Sequence, residues 1–220
     1  MKTFILVLVL ILVVFFIFQI SSKKDKQLIQ PLEEVNYMRN SSFEDGLYVL
    51  ANSASVGWSG EKSLVAGYVD SGILNIKEGN LKVETGTVTG NFVFDMTSIT
   101  AETTGGGAGE DKLTTHLKSV DFFEVEKFPT SNLKITEMTL TGEENTYLVK
   151  GNFEMKGIKN NVEFPAKVFV NGNETRVVAE VSLDRTLWDV RFGSGKFFKN
   201  LADKVINDIF KVNVDIVLVK

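Results

Sequence analysis

Along most of this chain apolar and polar residues alternate with the two-residue period of a half-buried β-strand. In Gly90–Met96, Phe92, Phe94 and Met96 fall on one face and Asp95 on the other. Tyr147–Met155 repeats the pattern with Tyr147, Val149, Phe153 and Met155, and Val177–Asp184 with Val177, Ala179, Val181 and Leu183. Shorter runs divided by Gly and Asn predict further strands at Leu47–Ala51, Ser53–Trp58, Ser63–Val69, Gly72–Ile76, Leu81–Thr85, Leu133–Ile135 and Val162–Val170. Val212–Val219 ends the chain as a strand rich in β-branched residues. Paired with the first strand, it would close the sheet into a barrel and remove its edges.

Two stretches break the alternation. Leu113, Leu117 and Val120 recur at helical spacing, predicting two turns of helix with one apolar face. Phe122, Phe123 and then Pro129 follow, and the proline forces an extended exit. Phe198, Leu201, Ala202, Val205, Ile206 and Ile209 predict a second amphipathic helix from Gly195 to about Phe210. The fold class expected is therefore all-β: an antiparallel barrel of about eight strands with two short helices. A barrel of that size has room for side chains or for one ligand. The chain holds seventeen phenylalanines against four tyrosines. Inward ones such as Phe92, Phe94, Phe153 and Phe164 either line a cavity or fill it.

The amino-terminal end reads differently. Phe4 to Phe18 is an uninterrupted apolar run. It is long for the apolar part of a signal peptide and short for a membrane span. Residues 1–22 are accordingly read as an uncleaved anchor or a cleaved signal, residues 23–45 as a linker, and 46–220 as the barrel domain. Lys23, Lys24 and Lys26 follow the run while only Lys2 precedes it, a distribution that by itself would leave the body in the cytoplasm.

Composition narrows the chemistry. The formal net charge is −4 with no basic block in the body, which argues against nucleic acid as a partner. There is no cysteine, so thiol catalysis, disulfides and Cys-containing zinc sites are excluded. A single histidine makes a His-based metal site improbable, and no cofactor is expected. Gly105–Gly109 reads as a plain loop, since no Lys-Ser/Thr follows it as in a phosphate-binding loop. His116 has three readings: a ring satisfying buried backbone groups, a contact to a ligand head group, or a base with Ser119 and Asp121 nearby. Catalytic triads are assembled from separated segments, which counts against the last. Asp121 is read as a turn-former after the helix. Phe122 and Phe123 are expected to point apart, one into the barrel and one against its rim. Arg185 and Asp189 are expected to pair near Trp188.

One ordered set of motifs is more specific. His116-Leu117-x-Ser119-x-Asp121-Phe122-Phe123-x-Val125-x-Lys127-x-Pro129 closely resembles the hallmark segment of the polyisoprenoid-binding, lipocalin-like family called YceI-like. The stretches from Val149 to Gly157, from Leu183 to Val190 and from Val212 to Val219 are similar to its later strands. Asp111-Lys112 and Thr114-Thr115 stand where the family commonly has Arg-Asp, and Trp58 and Val69–Gly72 replace its early histidine strand. The resemblance implies a long apolar channel for a polyisoprenoid or similar lipid, and a place outside the cytoplasm, against the lysine distribution. The candidate ligand-contacting residues, taken from the inward alternation and the stretch around His116, are Phe92, Phe94, Met96, His116, Phe122, Phe123, Phe153, Met155 and Phe164. The expectation is a carrier and not an enzyme, with the membrane met through the N-terminal segment and a homodimer left open. The alternative is a structural or interaction protein with a fully packed barrel.

Overall fold

The computed structural model describes residues 43–105 and 109–220. The apolar run at 1–22 and the linker, save Phe43–Asp45, lie outside them. Among the described residues ten strands follow in order: β1 (Gly46–Leu50), β2 (Ala54–Glu61), β3 (Val69–Glu84), β4 (Thr87–Asp95), β5 (Thr100–Thr103), β6 (Thr130–Leu140), β7 (Thr146–Met155), β8 (Ile158–Asn171), β9 (Glu174–Asp184) and β10 (Ile209–Val219). One α-helix, α1 (Glu110–Lys118), lies between β5 and β6.

Every ladder is antiparallel, and β10 pairs with β9 on one side and with β1 and β2 on the other, so the sheet closes. β1 and β2 lie end to end along β3 and share one barrel position. β5 continues the course of β4 along β3 after a single 3-10 turn at Met96–Ser98. The barrel thus has eight positions, and the expected pairing of first and last strands is present at Val49↔Val219. Hairpins β3–β4 and β7–β8 turn on Thr85-Gly86 and Lys156-Gly157, with φ of 48°, 78°, 50° and 72°. Two positive-φ residues in a two-residue loop match the right-handed twist of the strands they join.

Inward residues change character along the barrel. At one end Leu81, Val83, Val149, Val168 and Leu218 are 2% exposed or less, each burial contributing about 1.5–3 kcal/mol. Phe43 closes this end, its ring edge-on to Tyr48 and Tyr147 at 5.5 Å from each. Toward the other end the inward side chains Leu74, Phe94, Leu133, Phe164, Leu183, Val212 and Val214 are only half-buried. They face a space that side chains do not fill.

Three expectations need correction. Ser63–Val69 is a loop up to Tyr68, and only Val69 enters β3. The runs Gly72–Ile76 and Leu81–Thr85 belong to one strand, β3, in which a bulge between Ile76 and Glu78 moves the inward set from even to odd numbers. The helix expected from Gly195 to Phe210 is absent. That segment is irregular, with one 3-10 turn at Ala202–Lys204 and left-handed backbone at Asn200 and Ala202.

Candidate functional site

The half-buried side chains surround a cavity of about 670 Å³ that opens at the end opposite Phe43. Its walls come from β2 to β4 and β6 to β10, and its lip from α1, the β2–β3 loop and the segment joining β9 to β10. The barrel is therefore hollow, which stands against the fully packed alternative.

α1 sits over the opening because its neighbours hold it there. The Ala101 N–H donates to Thr114 Oγ1 (2.8 Å), and Leu117 is buried against Ile99, Phe122 and Val190. After the helix, the Phe122 and Glu124 N–H groups donate to the Ser119 carbonyl, and Phe123 N–H to that of Leu117. This tight turn brings both rings inward. Phe122 and Phe123, 6.3 Å apart, both line the cavity, with Phe122 against the lip residues His116 and Phe192. Val120 falls beyond the helix and is 73% exposed, so it leaves the apolar face its spacing suggested.

His116 is on the lip, and among the described residues its ring bonds no backbone group. Its ring is edge-on to Phe122 (4.9 Å) and Phe192 (4.6 Å), linking α1 to the β9–β10 segment. Its Nε2 lies 3.2 Å from Asp121 Oδ2, so Asp121 partners the histidine. Ser119 Oγ donates to the His116 carbonyl (2.8 Å) and so caps the helix, turned away from the imidazole.

One buried side chain, Arg185, gathers several turns of the β9–β10 segment. Arg185, 5% exposed, places all five N–H donors: Nε to the Asn207 carbonyl, one terminal nitrogen to those of Val190 and Phe192, the other to the Ile206 carbonyl and Asp208 Oδ1. Burial pulls the guanidinium below its ordinary value, opposed by the carboxylates of Asp208 and Asp184. The expected Arg185–Asp189 pair does not form, because Asp189 is left-handed (φ 60°) and turns to Arg191 (2.7 Å). Lys196 Nζ bridges Asp184 (2.8 Å) and Asp208 (3.3 Å). Burial pushes the Asp184 carboxyl up, but hydrogen bonds from Lys196 and Thr186 outweigh it and hold the group below the usual carboxylate range. Backbone bonds from Ser63 to Val205 and from Asn207 to Glu61 lash the segment to the β2–β3 loop.

The interior offers a ligand little polarity. Trp58 and Trp188 both spend their indole N–H on backbone carbonyls, those of Thr100 and Phe153. Ser131 Oγ contacts Met96 Sδ at 3.2 Å. Charged lining residues other than the satisfied Arg185 are Glu61, Lys62, Asp70, Lys112 and Lys204, all from strand ends, loops or α1. The arrangement is an apolar shaft with a polar lip.

A family model for the YceI-like domain matches residues 48–218. The chain belongs to the YceI-like family. Solved structures share the fold, two of them as follows. BcnA of Burkholderia cenocepacia is 17% identical, with a TM-score of 0.58 over 74% of this chain and 94% of that one. A polyisoprenoid binding domain from Saccharophagus degradans, described as implicated in plant cell wall breakdown, is 13% identical, with a TM-score of 0.56 over 78% and 97%. No curated protein sequence matches.

Of the candidate ligand-contacting residues read from the sequence, Phe94, Met96, His116, Phe122, Phe123, Phe153, Met155 and Phe164 line the cavity. Phe92 does not. It is 6% exposed in the packed core, its ring against Gly79, where an added Cβ would lie 2.5 Å from the ring. Sequence reasoning missed Leu183, Val212 and Val214, whose inward alternation was readable, Phe198, Leu201 and Ile206, hidden by the misassigned helix, and Phe192, which lies in a turn before it.

Proposed function

We propose that this YceI-like protein binds a long-chain isoprenoid or similar amphiphilic lipid, such as a quinone or polyprenol, with its tail in the barrel and its head at the lip. It acts outside the cytoplasm as a carrier or reservoir and catalyses nothing. The observation that carries this reading is the hollow shaft with its polar groups gathered at one end. Its volume lies within the roughly 300–1,000 Å³ of small-molecule sites. A tail burying roughly 400 Å² of apolar surface gains about 10 kcal/mol at about 25 cal/mol per Å². That is of the order of the association cost, about 4–15 kcal/mol, so few polar contacts are needed. The polyisoprenoid binding domain of like fold supports the ligand class, and the N-terminal apolar run supports export.

The test is organic extraction of the exported, purified protein, followed by mass spectrometry of the extract. The wild type should yield one lipid class near stoichiometric amount, and Phe94→Asp and Phe153→Asp should yield little. Equal lipid from all three would remove the cavity from the explanation.

A further inference from the structure

The outer surface at the open end has a character the rest of the barrel lacks. Leu64, Val120, Leu187, Phe192, Phe197 and Phe198 are all 40–73% exposed, and all lie in the loops and turns around the opening. Among the described residues, the exposed large apolar side chains away from this end are Leu47 and Val49 on β1 and Leu140 at the end of β6. Single exposed apolar residues are ordinary. A ring of them around a cavity mouth, with three phenylalanines in seven residues, is a patch that marks an interaction site.

We propose that the open end of the barrel docks on a lipid bilayer, these side chains entering its interface so that the cavity opens directly onto lipid. Two features select a bilayer over a protein. The apolar residues come from the β2–β3 loop, the turn after α1 and the β9–β10 segment, around a hole that leaves the patch no solid centre for the close packing that a protein interface needs; fluid lipid can fill around each of them. The patch is also continuous with the shaft, since Phe192 and Phe198 are exposed outside and line the cavity within. Lys199 directly follows the phenylalanine pair and Lys204 sits on the same segment. Among the described residues neither has a carboxylate partner, so both suit anionic head groups. The functional sense of the docking rests on the lipid-carrying reading above: a tail with negligible solubility in water exchanges best where the mouth meets the membrane.

The chain has no cysteine, so single labelled cysteines report on chosen sites in the full-length protein. Val120→Cys and Phe197→Cys carry a fluorophore at exposed mouth positions that do not line the cavity; Leu140→Cys carries it at the closed end. The probe is a vesicle of phosphatidylcholine and phosphatidylglycerol containing a lipid with a nitroxide at the head group. Docking predicts several-fold stronger quenching at 120 and 197 than at 140. It also predicts that adding Leu64→Asp and Phe197→Asp lowers quenching at 120 to the level at 140. Equal quenching at all three positions, or none at 120 and 197, overturns the proposal. So does spin coupling between nitroxide labels at 197 without vesicles, which would assign the face to a second copy of the chain. Lipid extraction from the same preparations separates the two readings: quenching without carried lipid leaves docking and removes carriage, and the reverse removes docking alone.

Discussion

Replacing Arg185 by Met keeps most of the side chain's length and removes every donor at once. The carbonyls of Val190, Phe192, Ile206 and Asn207 and the carboxylate of Asp208 lose their shared partner. Each hydrogen bond to a charged group contributes about 1.5–3 kcal/mol. The bonds do not simply add, because the β9–β10 segment can swing outward and hydrate its carbonyls. Swinging outward forfeits the backbone bonds to Glu61 and Gly193 and the packing of Ile206 over the cavity. The loss should therefore be about 3–5 kcal/mol, as for other broken buried pairs, or roughly two to three and a half powers of ten in the closed-to-open ratio. Amide hydrogen exchange reads this ratio directly. The amides of Ile206 and Asn207 should exchange at least about a hundredfold faster, while those of β7 and β8 change little. Arg185→Lys retains the charge but offers three donors from one nitrogen in place of a planar fork, and should fall between. Unchanged exchange at Ile206 and Asn207 in the Met variant would refute the view that this guanidinium holds the lip.

Val214→Phe adds volume at a residue facing the cavity. In a packed core such a change costs about 1–3 kcal/mol; here the urea midpoint should hold or rise while extractable lipid falls at least about tenfold. Gly72→Ala should destabilise by more than about 2 kcal/mol, because a Cβ there would clash with the Thr100 carbonyl oxygen and force β5 off β3; thermal unfolding checks it. Asp184 titrates lower in the folded protein than its ordinary value, so its stabilisation is complete above about pH 4 and lost as pH falls further. Asp184→Asn should flatten the acid limb of stability below about pH 4 without altering its neutral shape.

The inward sets of β4, β7 and β9 were legible because those strands keep strict alternation over a cavity or core. β3 was not legible as one strand, since its bulge reverses the parity at the point where the two halves meet. A similar shift in the pairing of β6 with β7, between Ile135 and Glu137, leaves Met138 inward after Ile135. The position of α1 could be read from the spacing of Leu113 and Leu117, but the fate of Val120 depends on a turn closed by backbone groups. The false helix at 195–210 is the instructive case. Its apolar spacing is real, yet Phe198, Leu201 and Ile206 line the cavity, and Arg185 takes the Ile206 carbonyl that the last turn of a helix reaching Phe210 would use. Arg185 comes from a segment about twenty residues earlier, beyond the reach of any local pattern. Phe92 and Phe94 have the same sequence signal, and only depth along the barrel separates a core ring from a cavity wall.

Native mass spectrometry of the intact exported protein tests the central claim most directly. A single adduct of defined lipid mass per chain, present in the wild type and lost in Val214→Phe, is the expected result. A bare protein that stays bare after incubation with quinones and polyprenols would contradict the carriage of lipid in this barrel.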